Sequence, residues 1–194
     1  MKPLAIGCLA ILALVVVLGI GFATFGVGQY NQAKTLDQNV QTQWAQVEVQ
    51  LQRRFDLVPQ LEATVKGLAG QEQKVFLGIA NARKAYFQAD NVADKAAAAN
   101  DFNSALSRLL MLQERYPELK SNEAFLKMQD TVEGTENRLS VERGRYNDAV
   151  RELDVFTQTF PHNFFASFAG VKRVEYLKAP AEAETAPKID FSKP

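Results

Sequence analysis

VEVQLQRRFDLVPQLEATVKG, residues 47–67, has the apolar spacing of a long helix until its middle, where Arg53, Arg54, Asp56 and Pro59 interrupt it. Taking every seventh residue outward from this stretch gives Tyr30, Asp37, Trp44, Leu51, Val58 and Val65. The companion row is Ala33, Val40, Val47, Arg54, Leu61 and Leu68. Two rows with that period make one apolar seam along a helix. Only Asp37 and Arg54 break it, and Gly67 and Gly70 are the expected stop. Pro59 removes a backbone donor and crowds the carbonyl of Phe55, so a kink is expected there.

The helical period continues down the chain. A second helix is predicted from about Gln71 to Ala89, with Val75, Phe76, Ile79, Ala82 and Tyr86 inward. A third is predicted from about Ala93 to Tyr116 through Phe102, Leu106, Leu109 and Leu112, stopping at Pro117. Asn122 is a suitable N-cap for a fourth, which repeats the sevenfold row as Phe125, Val132, Leu139, Tyr146, Leu153 and Phe160. Met128, Thr135, Glu142, Ala149 and Phe156 form its companion row. Nothing resembles a strand pair with a hairpin turn. The fold class is therefore all-α, and short loops between neighbours imply an up-down-up-down antiparallel four-helix bundle whose first and fourth helices are long.

Leu4 to Val27 carries no charged side chain and exceeds the roughly 20 apolar residues that cross a bilayer. It reads as a single transmembrane helix. A cleaved signal peptide is the rival, but its apolar core is only about 7–15 residues long. A lipoprotein fits less well, because the residues before Cys8 lack the usual leading leucine and Cys8 comes too early. Gly19, Ala23 and Gly26 recur at helical spacing and could pack against another transmembrane helix, although glycine is also common in such helices. Lys2 gives a small positive bias to the N-terminal flank, which favours a single-pass topology with the bundle outside the cytoplasm. The expected domain order is anchor 1–28, bundle 29–161, a short amphipathic aromatic segment 162–178 and a disordered tail 179–194 rich in Pro, Ala, Glu and Lys.

Composition narrows the function. Lys+Arg and Asp+Glu both total 22, so no net field would gather nucleic acid. The single cysteine forbids an internal disulfide, and the single histidine, His162, leaves no His/Cys metal set and no Ser-His-Asp arrangement. No cofactor is implied, and no catalytic constellation is recognised.

Several stretches carry a resemblance. Tyr30-Asn31, the run from Val47 to Leu61, and Thr64 to Gly67 are followed by Tyr116 to Lys120, Glu136 to Arg138, Arg143 to Val150, Phe160-Pro161 and Ile189 to Phe191. Together they resemble the LemA family of bacterial membrane proteins, in the family's order and over nearly the whole chain. The resemblance implies a short membrane anchor followed by a helical bundle, placed in the bacterial cytoplasmic (inner) membrane. It implies no reaction. Where the family often has a second aromatic or a His-Glu pair, this chain has Leu68 to Glu72, so any site that depended on that histidine is absent.

Pairing the first and fourth helices antiparallel, with Tyr30 opposite Phe160 and Leu68 opposite Asn122, puts Arg54 beside Glu136. An ion pair within the seam is expected there, where it would specify register more than stability. The alternative is an anion-binding or enzymatic cluster of Arg53, Arg54, Asp56, Glu136 and Arg138. Two function classes follow. One is a membrane-anchored interaction or scaffold protein of the cell envelope, touching membrane lipid and an unidentified membrane or envelope protein, or forming a homo-oligomer. The other is an enzyme or anion-binding protein built on that cluster. The segment NFFASFAGVKRVEYL, residues 163–177, combines Phe164, Phe165 and Phe168 with Lys172 and Arg173. Such a mixture suits a membrane interface, and it equally suits a plug at the open end of a bundle.

Overall fold

The computed structural model describes residues 3–60, 63 and 73–178. The α-helices described end to end are α1 Pro3–Phe55, α2 Gln73–Gln88, α3 Val92–Leu110, α4 Glu123–Gln158 and α5 His162–Phe168. There is no strand among the described residues. At about 1.5 Å per residue, α1 alone is about 80 Å long. The helix stop expected at Gly67 and Gly70, the lower seam residues Leu61, Val65 and Leu68, the flank at Lys2 and the tail from Ala179 all lie outside the described residues.

Local chemistry explains the helix ends. α1 closes at Phe55, and Asp56 and Leu57 form a turn before helical structure resumes at 58–60. Pro59 cannot donate to Phe55, but it is tolerated in the first turn of the new stretch, so the break falls just ahead of it. The Asn91 side chain accepts from the Asp94 amide at 2.8 Å and caps α3. α3 ends at Leu110, earlier than its apolar spacing suggests. The chain tightens into 3₁₀ turns at Met111–Glu114 and Pro117–Ser121, because Pro117 disfavours a helical residue before it. Asn122 Oδ1 accepts from the Phe125 amide at 3.0 Å and starts α4.

The chain divides into two compact units. The first comprises Met1–Trp44 and Asn147–Val174. Its small core is Ala33, Phe156, Ala166 and Ala169, with Leu36 and Val171 against it. Two corrections arise here. Phe160 is exposed instead of continuing the seam, since α4 ends at Gln158 and the chain turns through a cis Phe160–Pro161 peptide. Tyr30 is also exposed, leaving the row of Ala33 and Val40 to make the buried face of α1.

The second unit comprises Ala45–Tyr146 and Glu175–Pro194. The Phe55 ring lies 4.8 Å from Tyr86 on α2 and 4.6 Å edge-on from Phe102 on α3, centroid to centroid. Val47, Leu51 and Val58 are buried, as are Ile79 and Ala82 of α2, Leu106 and Leu109 of α3, and Phe125, Val132 and Leu139 of α4. Each large apolar side chain buried this way contributes about 1.5–3 kcal/mol. The rows from Val47 to Val58 and from Phe125 to Leu139 thus supply buried side chains to the second unit.

Candidate functional site

Arg54 sits in the second unit, on the last turn of α1, at a position where the seam has an apolar residue every seven places. Its guanidinium is buried and is ion-paired with Glu136 of α4. The same Nη1 donates to Asn103 Oδ1 on α3. Burial pulls the Arg54 pKa down, and the charge of Glu136 and its hydrogen bond pull the other way. The Nε is buried with no hydrogen-bond partner. An orphaned donor on a buried cation is costly, so the pair with Glu136 is what keeps the charge tolerable.

A second arginine joins the network. Arg143 Nη2 donates to Asn100 Oδ1 at 2.9 Å. Its pKa is also lowered, first by burial and further by Arg54, with Glu136 opposing both. Asn100 and Asn103 stand one turn apart on α3, each holding one guanidinium. Glu136 is ion-paired with Arg54, and its charge also acts on Arg143.

Of the residues that the sequence singles out, the structure brings Arg54 and Glu136 together. Arg53, Asp56, Pro59 and Arg138 are exposed. Asp56, in the turn after α1, accepts from Gln52 four residues back, at 2.9 Å. Sequence reasoning missed Asn100, Asn103 and Arg143. Arg143 follows Glu136 by seven residues, which was a usable signal; the two asparagines gave none until α3 was placed. Nearby, Lys95 of α3 pairs with Glu48 of α1 at 2.5 Å. Among the described residues no group of three or more His, Cys, Asp or Glu is arranged to hold a metal ion.

The aromatic segment belongs to the first unit. His162 Nδ1 donates to Gln29 Oε1, and the His162 ring stacks on Phe156 at 4.8 Å. Phe165 meets Phe25 edge-on at 5.9 Å. α5 ends in a Schellman turn: Gly170, with φ 68°, donates to Ser167, and the Val171 amide donates to Ala166. Beyond it, residues 171–178 have no regular structure. Arg173 is held by Asp154 at 2.9 Å, and Lys172 is exposed. Of the small residues at helical spacing, Gly26 lies under the Phe165 ring, and Gly19 has open space around it.

This is an all-helical protein with one N-terminal helix long and apolar enough to cross a membrane. An arginine–carboxylate pair, Arg54–Glu136, lies among the apolar side chains of its second unit. The chain belongs to the LemA family, whose model matches residues 43–191. That match begins beyond the apolar run. The chain is 26% identical to a magnetosome protein, MamQ, of Magnetospirillum gryphiswaldense, over 90% of this chain and 74% of that one. It is 24% identical to magnetosome proteins MamQ 1 and MamQ 2 of Paramagnetospirillum magneticum, over 91% of this chain and 74% of each.

Proposed function

We propose that the chain is a membrane-anchored scaffold or interaction protein of the bacterial cell envelope, without a reaction of its own. Residues 4–27 cross the cytoplasmic membrane once. α1 to α4 pack beyond it as an up-down-up-down antiparallel bundle that docks an envelope protein or a second copy of the chain. The observation that carries this reading is α1 itself. It is one unbroken helix that exposes apolar side chains from Ile11 to Val27 and buries a single stripe further along. The likeness to magnetosome proteins supports a membrane-associated role.

Two measurements test it. The bundle faces outward, so protease added to intact spheroplasts digests it while the anchor stays in the membrane fraction. Protection until lysis means that the orientation is reversed. Crosslinking in intact membranes, followed by identification of the captured chains, recovers either an envelope partner or a homo-oligomer. Recovery of neither removes the scaffold reading.

One observation favours a second reading, in which the polar network binds an anion: the charge of one carboxylate, Glu136, acts on both Arg54 and Arg143. Phosphate then raises the melting temperature of the protein but not that of an Arg143→Gln variant. A shift common to both sets this reading aside.

A further inference from the structure

In the first unit, α5 turns small residues inward and the rings of Phe164 and Phe168 outward. Ala166 and Ala169 make the buried face of α5. Phe164 and Phe168, one turn apart, are 64% and 82% exposed, and Phe160 just before them is exposed as well. The three rings together reverse the usual arrangement for a helix facing water. Phe164 and Phe168 therefore face outward, Phe165 packs on Phe25 and Gly26, and the alanines join the small core.

Between α5 and α1 lies a cleft of about 350 Å³, within the roughly 300–1,000 Å³ range of small-molecule sites. Its α1 wall is Ala23, Gly26, Val27 and Tyr30, and its other wall is the rings of Phe164, Phe165 and Phe168. Gly26 makes the close approach feasible, since a Cβ there would stand 3.2 Å from Phe165 Cε1. Ala23, Gly26 and Val27 belong to the run without charged residues. The cleft is thus cut into the last turn of the apolar span, and what surrounds that turn is what can enter.

We infer that α5 lies in the membrane interface and that the cleft between it and α1 takes an acyl chain of a bilayer lipid. The inference rests on the reading that α1 crosses the bilayer. Aromatic rings favour the interfacial zone, and the exposed Lys172 just beyond α5 is placed to meet a headgroup phosphate while its stem stays apolar. Arg173 is engaged with Asp154 and plays a lesser part.

The test uses the full chain reconstituted into phosphatidylcholine–phosphatidylglycerol vesicles, with and without bromine on the acyl chains. Phe168→Trp introduces a reporter at an exposed site. The native Trp44 is an internal reference, about 25 Å further along α1 than Val27 at about 1.5 Å per residue. The emission added by Phe168→Trp is lost in brominated vesicles and resists aqueous iodide, while the Trp44 emission persists. Quenching by iodide but not by bromolipid overturns the inference, because α5 then faces water. Resistance to both also overturns it, because protein then covers the rings, a second copy included. Failure of the chain to float with vesicles removes the anchor reading as well, a result distinct from either. The cleft is tested by Phe164→Trp, with and without Ala23→Phe to fill it from the α1 side, helicity being checked by circular dichroism. Filling reduces the bromine quenching at position 164. Unchanged quenching means that the rings touch bulk lipid only and overturns the cleft as a binding place.

Discussion

Within α1, Phe22 is 69% exposed and Phe55 is fully buried, although both are phenylalanines in one continuous helix. Around Phe22 every neighbour on every face is apolar or small, from Leu4 to Val27. Around Phe55 the apolar residues form one stripe, flanked by Glu48, Gln52 and Arg53. Residue type alone does not decide what covers a side chain; the angular distribution of its neighbours does. A helix apolar all round calls for a hydrocarbon solvent, and one apolar along a stripe calls for another helix.

The comparison is broken most directly by making the same change at both ends. Phe55→Ala removes the ring that packs on Tyr86 and Phe102, and costs about 3–5 kcal/mol of folding stability. Phe22→Ala leaves the stability of the helical core unchanged. Thermal or denaturant unfolding of the full chain in one detergent compares them. Similar losses would show that the first half of α1 is also covered by protein.

The polar interruption of the stripe gives the next effect. The two partners differ in burial: the Arg54 side chain is buried, whereas that of Glu136 is 42% exposed. Glu136→Gln strands a buried guanidinium and costs about 3 kcal/mol. Arg54→Met removes the buried charge itself and leaves a carboxylate that water can reach, so it costs less. A double-mutant cycle measures the coupling, and a value near zero would mean that the pair contributes only geometry.

These residues also show how much was legible in the sequence. Ala33, Val40 and Val47, and Phe125, Val132 and Leu139, were readable as core because burial on a helix repeats with the helix. The meeting of Arg54 with Glu136 followed from pairing two such rows. Asn100 and Asn103 were not readable, because polar residues on a helix surface acquire partners only once the third helix is placed. The end of α1 at Phe55 was half readable: Pro59 signalled a kink, but that the helix would stop and restart depended on whether the freed carbonyls could turn. The outward face of α5 stayed ambiguous, since an aromatic segment reads alike whether lipid or protein covers it.

Alkaline pH sharpens the comparison on the buried side. Burial, and secondarily the charge of Glu48, push the Tyr86 pKa up from 10.0 to about 12. Below the unfolded value both states keep the proton and stability is constant. Between the two values the unfolded chain ionises first, so this tyrosine subtracts about 1.4 kcal/mol per pH unit. Tyr146 is raised in the same direction by burial and Glu175. Tyr86→Phe flattens the fall in stability across that window, while Tyr146 keeps part of the slope. An unchanged slope would place the Tyr86 hydroxyl in water.

The smallest effect comes from two glycines with equal space around them and opposite backbones. An added Cβ meets nothing within 4 Å at either Gly144, inside α4, or Gly170, after α5. Packing therefore cancels from the comparison. Gly144 has ordinary helical geometry, so Gly144→Ala restricts the unfolded chain more than it strains the folded one and stabilises by about 0.5–1 kcal/mol. Gly170 has φ 68°, where an alanine side chain crowds its own carbonyl, and Gly170→Ala costs about 1 kcal/mol. The Schellman turn that Gly170 closes brings Val171 back onto Ala166, so the loss is felt in the small core of Ala33, Phe156, Ala166 and Ala169. Hydrogen exchange of the full chain separates the two: Gly170→Ala raises exchange at the amides of α5, and Gly144→Ala lowers it in α4. If vesicles restore α5 protection in Gly170→Ala, the interface holds the helix against lipid even when its own stop signal is lost.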